Sequence, residues 1–284
     1  MKRLVLYLSG IVFFIAASIL LLWPAPGRAV DDEYLPVDGP CEFTFPRDHG
    51  AHPGYRVEWW YYTGNLATAR GERFGFQLTF FRTRISPPGA EKAWPPNPSA
   101  WRTNQLYFAH AALSDIAHKR FYHDEKMARG AVGLAGLEPE GGGARVFLGR
   151  WSALMGQEKH RLQAATDRFA LDLSCRPLKP PVAHGIRGYS LKGKKPESAS
   201  CYYSLPRLET TGTLTIQGKS LSVQGTAWMD HEFSSAPLEE DLSGWDWFSI
   251  QLADHTELMI YLLRERGGGY SSASSGTFSR TRFT

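Results

Sequence analysis

Phe74-Gly75-Phe76-Gln77-Leu78-Thr79-Phe80-Phe81-Arg82 alternates apolar side chains with small or polar ones, the period of two that a pleated strand with one buried face requires. The same alternation runs through Gly212-Thr213-Leu214-Thr215-Ile216-Gln217 and Leu221-Ser222-Val223-Gln224-Gly225-Thr226, and Gln217-Gly218-Lys219 between them is a tight-hairpin signal. From residue 41 onward the chain reads as short strands separated by Gly, Asn, Asp and Pro turns, with few helical periods, so the expected class is all-β. Residues 85–101 form a proline-rich insertion expected to loop over a barrel mouth, and Gly141-Gly142-Gly143 marks a flexible tip.

The 284 residues are 43% hydrophobic and 21% charged, the mixture of a globular chain long enough for one large or two ordinary domains. Aromatic residues make up 13%, which suits half-buried sheet surfaces and the walls of apolar pockets. The formal charge of +4 is scattered, and the cluster Lys192-Gly193-Lys194-Lys195 lacks the stripe of a nucleic-acid surface, so no nucleic-acid partner is expected.

Lys2-Arg3 precede an apolar run over residues 4–23, then prolines and Gly27-Arg28-Ala29. Residues 1–29 therefore read as a signal peptide or, given the length of the run, a membrane anchor, with the body exported to the periplasm or the outer face of the inner membrane. Membrane association through this segment is a corollary. Disulfides are permitted there, and of Cys41, Cys175 and Cys201 the expected pair is Cys175 with Cys201, which flank one loop.

Chemistry is expected in two runs. Thr226-Ala227-Trp228-Met229-Asp230-His231-Glu232-Phe233-Ser234-Ser235 carries three consecutive proton-bearing groups among aromatics, and Glu58-Trp59-Trp60-Tyr61-Tyr62-Thr63-Gly64-Asn65-Leu66 sets an acid beside four aromatics. Such groups are costly to bury unless paired or used. Strand alternation puts Trp228, Asp230 and Glu232 on one face with Met229 and His231 opposite, and Glu58, Trp60 and Tyr62 on one face with Trp59 and Tyr61 opposite. His49 and His52 could join Asp230, His231 and Glu232 in a zinc site, but loop His pairs are common and no metal is expected. His118, His123, His160, His184 and His255 read as surface residues.

The stretch from Glu58 through Arg84 is echoed from Trp245 through Arg266: aromatic strand, turn, alternating strand, Arg-x-Arg. The organisation expected is a linker over 30–47, a first domain over 48–243 and the start of a truncated second over 244–284. About 40 residues are too few to close a barrel, which needs about eight strands. The Gly/Ser-rich segment from Gly267 onward is expected to be poorly ordered.

His49-Gly50-Ala51-His52-Pro53-Gly54-Tyr55-Arg56-Val57-Glu58-Trp59-Trp60-Tyr61-Tyr62-Thr63-Gly64-Asn65-Leu66, the strand 74–82, Tyr107-Phe108-Ala109-His110-Ala111-Ala112-Leu113-Ser114-Asp115, Tyr202-Tyr203-Ser204-Leu205-Pro206-Arg207-Leu208, Ala227-Trp228-Met229-Asp230-His231-Glu232-Phe233 and Gly244-Trp245-Asp246-Trp247-Phe248 resemble, in order, the motifs of the AttH-like family, which includes the carotenoid 1,2-hydratases. The resemblance implies tandem lipocalin-like antiparallel β-barrels, the second incomplete in this chain, with a ligand pocket at the barrels and their junction. Many bacterial members carry the label hydrolase, for which Gly188-Tyr189-Ser190-Leu191-Lys192 gives no support because it lacks the closing glycine of a nucleophile elbow.

The activity implied is hydration, or another protonation, of a C=C bond in a hydrophobic isoprenoid-like substrate, without a cofactor. That chemistry needs a carboxylic acid kept protonated by an apolar site and aromatic faces to stabilise a cation. Asp230 is the expected proton donor, with His231 or His110 positioning water or relaying the proton and Glu58 a further catalytic candidate. Trp59, Trp60, Tyr61, Trp228, Trp245, Tyr203 and Glu232 are the expected ligand contacts. A non-catalytic carrier, or a cyclase or isomerase working through the same pocket, is the alternative.

Overall fold

The alternation of residues 74–82 is realised as strand β2 (Arg73–Arg84), whose inward residues Phe74, Phe76, Leu78 and Phe80 are buried. A computed structural model describes residues 33–280; the leader or anchor expected over 1–29 lies outside the described residues. β1 (Val57–Ala67), β2, β3 (Gln105–Asp115) and β4 (Arg120–Arg129) form one antiparallel run. β5 (Ala135–Glu140), β6 (Gly143–Leu148), β7 (Trp151–Met155), β8 (His160–Ala165) and β9 (Phe169–Pro177) form another. Between the two runs lie the long strands β12 (Ala199–Ile216) and β13 (Lys219–Ser234), giving the order β4-β3-β2-β1-β13-β12-β9-β8-β7-β6-β5.

The β12–β13 hairpin turns where expected: Gln217 and Gly218 both have positive φ, 50° and 81°, which a two-residue hairpin turn needs. β12 changes register between Leu205 and Leu208, around Pro206, which has no N–H to give a ladder. Its first part pairs with the short strands β10 (Val182–Ala183) and β11 (Tyr189–Leu191), its second with β9. The sheet curls until β4 approaches the opposite end, and side chains close it: Lys126 Nζ lies 4.5 Å over the Trp151 ring and Arg168 donates to the His123 carbonyl. Trp60, Tyr62, Leu78, Phe80, Leu113 and Trp151 fill the interior of this nearly closed barrel.

The repeated aromatic hairpin does not join the first sheet. β14 (Leu242–Gln251), β15 (Glu257–Glu265) and β16 (Ser275–Ser279) form a second, smaller antiparallel sheet. The expectation of a poorly ordered tail is corrected here over residues 267–280, its last four residues lying outside the described ones: Gly268 and Gly269, both at positive φ, turn the chain, Ser271 is buried, and β16 pairs with β15 from Tyr261↔Ser275 to Glu257↔Ser279. Ladder hydrogen bonds thus offset the ordering entropy. A separate cluster, Tyr202, Trp228, Leu242, Met259, Tyr261 and Leu263, packs the second sheet on the outer face of the barrel. Lys179, Arg207 and Glu257 clamp the same junction: Glu257 lies 2.7 Å from Lys179 Nζ and 2.6 Å from Arg207 Nε, wholly buried.

The cysteine pairing also differs from expectation. Cys41 is bonded to Cys201, tying the N-terminal arm to β12, and Cys175 is free and buried. The reason is register: Cys175 on β9 faces Thr210, on the far side of the β12 bulge from Cys201. Two of the five histidines read as surface residues, His160 and His184, are buried, because β8 and the segment after β10 turn them inward.

Candidate functional site

β1 and β13 lie side by side with Tyr61 opposite Asp230, Trp60 opposite His231 and Trp59 opposite Glu232. Since directly opposed residues point to the same face, the two motifs merge into two chemically different surfaces. One faces the barrel interior and the other faces the second sheet.

The inner surface holds Glu58, His231, Trp60 and Tyr203. Glu58 Oε1 lies 2.7 Å from His52 Nδ1 and 2.9 Å from His231 Nε2, and its Oε2 accepts from Arg82 Nε at 2.9 Å. Burial opposes ionisation of Glu58, but the hydrogen bonds from His231 and His52 and the charge of Arg82 outweigh it and hold the carboxyl well below the usual range. Burial pushes the His231 imidazole down, against the pull of Glu58. Tyr203 OH lies 3.3 Å from His231 Nδ1 and 2.7 Å from His49 Nδ1, and Trp60 Nε1 donates to the His49 carbonyl. Ligand atoms of His52, Glu58 and His231 fall within 4.8 Å of one another, the spacing of a metal site. Glu58 already serves two imidazoles and a guanidinium, so the trio reads as part of a closed hydrogen-bond network built on the Glu58–Arg82 ion pair.

The outer surface opens into a cavity of about 750 Å³ between the barrel and the second sheet. Trp59, Tyr61 and Phe81 from the barrel and Trp245, Trp247 and Leu263 from the second sheet form apolar walls, and Asp230, Glu232, Lys192 and Tyr202 bring the polar groups. Trp247 is the keystone: its ring centroid is 5.3 Å from Tyr61 and its Nε1 donates to Tyr202 OH at 3.1 Å.

Asp230 is 3% exposed, and its Oδ1 accepts from Trp228 Nε1 at 2.7 Å and from Ser204 Oγ. Burial drives its carboxyl up to about 7; hydrogen bonds from Ser204, Trp228 and Tyr202 pull the other way, and the charge of Glu232 adds to the rise. Glu232 accepts from Ser200 Oγ and pairs with Lys192 Nζ at 3.1 Å. The same ammonium sits 4.6 Å over the Tyr202 ring and 4.2 Å over that of Tyr261. The site thus has an acid half-protonated near neutrality, aromatic walls able to face a cation, and a separate polar corner.

Of the residues singled out from sequence, Asp230, Glu232, Trp59, Tyr61 and Trp245 line this cavity, and Glu58, although held in the inner network, also borders it. Trp228 packs behind it and holds Asp230 by its indole N–H. Glu58, His231, Trp60 and Tyr203 belong to the inner network. His110 is brought to neither: it lies on the outer face of β3 beside Phe81, half exposed and 3.9 Å from Glu125. Tyr202, Trp247, Lys192, Ser204 and His184 were missed. Alternation along the Tyr202-Tyr203 and Trp245-Asp246-Trp247 motifs could have found the first two; nothing in the local sequence signals His184.

The model of the family described as AttH-like matches residues 36–282. A protein of Nitrosomonas europaea described as an AttH superposes with a TM-score of 0.73 at 34% identity, covering 86% of this chain and 74% of that one. Kievitone hydratase from Nectria haematococca shares the fold at a TM-score of 0.57 and 12% identity, over 87% and 71% of the two chains. CghA does so at 0.53 and 12%, over 88% and 66%. No curated protein matches the chain.

Proposed function

This chain belongs to the AttH-like family, and from that premise we propose that it is a hydratase-type enzyme protonating a C=C bond of a hydrophobic, isoprenoid-like substrate in the cavity between its two sheets. The observation that carries the reading is a buried carboxylic acid, Asp230, raised to about 7 at the wall of an aromatic cavity. Carboxyls in such sites stay protonated long enough to act as general acids.

In this reading the substrate lies against Trp59, Tyr61 and Trp247. Asp230 gives its proton to the less substituted alkene carbon, the aromatic faces stabilise the tertiary cation on its neighbour, and water held at the Glu232–Lys192 corner adds to that carbon. The fold shared with kievitone hydratase supports the enzyme reading by analogy. The Cys41–Cys201 disulfide supports an exported protein. An enzyme using no cofactor, with its leader associating with the membrane, is part of the same proposal.

The test is Asp230→Asn assayed for product from a terminal-isopropylidene isoprenoid, with its thermal midpoint measured alongside. The amide keeps an acceptor for Trp228 and Ser204 and carries no buried charge, so the expected outcome is a rate loss of about a hundred- to ten-thousandfold with the midpoint at neutral pH no lower than that of wild type. Wild-type protein that binds such compounds and converts none of them would replace the enzyme with a carrier.

A further inference from the structure

Asp230 has a second connection, on the side away from the cavity. Ser204 stands opposite it in the β12–β13 register and donates to Oδ1. Ser204 Oγ lies 2.6 Å from His184 Nε2, and His184 Nδ1 lies 2.9 Å from Thr277 Oγ1 on β16. His184 follows β10 and is fixed there by its backbone N–H to the Tyr202 carbonyl. Ser204 and His184 are fully buried, whereas Thr277 is only partly covered, at the edge of the second sheet. Three groups that can each give and accept a hydrogen thus run from a partly solvated strand to the buried acid.

We propose that Thr277, His184 and Ser204 form a proton relay that reloads Asp230 after it has given its proton to substrate. The relay rests on the reading of Asp230 as the acid. In one cycle the Ser204 hydroxyl proton passes to Asp230 Oδ1, the His184 Nε2 proton to Ser204 Oγ, the Thr277 hydroxyl proton to His184 Nδ1, and solvent replaces the last. The water that captures the cation releases one proton through Glu232, so one proton enters and one leaves. The imidazole changes tautomer and need not become a cation. Burial, with the charge of Lys192 added, pushes His184 down to about 3 and so favours this neutral route. The other groups around Asp230, namely Tyr61, Tyr202 and Glu232 with its partner Lys192, line the cavity. The relay gives β16 a part in the chemistry although it contributes no cavity wall.

A chain that serves only to satisfy buried polar atoms would look the same at rest, so the test is kinetic. After a light-triggered pH jump on the full chain, time-resolved infrared spectroscopy follows the protonated-carboxyl band that Asp230→Asn removes. In His184→Gln the amide still donates to Ser204 but cannot exchange its proton through a ring. The expected result is reloading slowed about a hundredfold, at the low end of what a positioned proton-transfer group contributes, with the final amplitude unchanged. Thr277→Val, at the sheet edge, should act in the same direction and serves if His184→Gln does not fold. Reloading at the wild-type rate in either folded variant would overturn the relay and leave the acid in place. Absence of the band near neutral pH in wild type would instead remove the acid itself, and needs no substrate to detect.

Discussion

Glu58 and Asp230 lie on paired strands, both out of water, yet burial ends in opposite results. Glu58 is surrounded by two imidazoles and a guanidinium and stays ionised; Asp230 is surrounded by neutral donors and another carboxylate and is pushed up to about 7. Burial sets the penalty for charge in both cases, and the partners decide its sign. The inner carboxylate therefore reads as framework and the outer one as chemistry, although both were catalytic candidates in sequence.

The largest effect expected from breaking this contrast, after the loss of turnover in Asp230→Asn, is on stability. Glu58→Gln leaves the Arg82 guanidinium buried without its counter-charge, which should cost about 3–5 kcal/mol, read as a fall in denaturation midpoint. The fraction that folds should keep its activity. An unchanged midpoint with lost turnover would exchange the roles of the two acids.

The pH dependence sharpens the same comparison. Asp230 binds its proton more tightly folded than unfolded, so its contribution to stability is full below its ordinary value of 3.8 and is lost as pH rises toward 7. Glu58 does the reverse: its contribution is present above its ordinary value of 4.5 and is lost as pH falls below it. Relative to wild type, Asp230→Asn should therefore become more stable between those limits, by roughly 4 kcal/mol at most, in denaturant titrations at several pH values. A stability difference that does not vary with pH would contradict this.

Two smaller effects bound the site. Cys41→Ser opens a cross-link spanning 160 residues and should lower stability by about 2–5 kcal/mol without changing activity per folded molecule. His110→Ala, on the exposed face of β3, should change stability by less than about 0.5 kcal/mol and leave turnover intact. A large loss in either activity measurement would mean that the catalytic surface extends beyond the cavity.

Alternation alone made the two faces of β1 and β13 legible: Glu58 with Trp60 and Tyr62, against Trp59 with Tyr61, and Asp230 with Glu232 against His231. It could not say which face was inside the barrel, because both carry aromatics and acids. That depended on the second sheet, whose Trp247 and Leu263 convert the outer face into a cavity wall. The repeated aromatic hairpin announced that sheet, but its third strand, Ser275–Ser279, hid among mostly small polar residues, and its pairing follows a glycine turn and not apolar periodicity. Cys41 and His184 sit in segments with no repeat at all, and only tertiary packing brings them to Cys201 and Ser204.

The most direct measurement is a static infrared titration of the carboxyl region for wild type, Asp230→Asn and Glu58→Gln. The expected result is a protonated-carboxyl band with a midpoint near 7 that disappears in Asp230→Asn and survives in Glu58→Gln. A band absent above about pH 5, in the range of ordinary carboxyls, or one abolished by Glu58→Gln in place of Asp230→Asn, would contradict Asp230 as the acid.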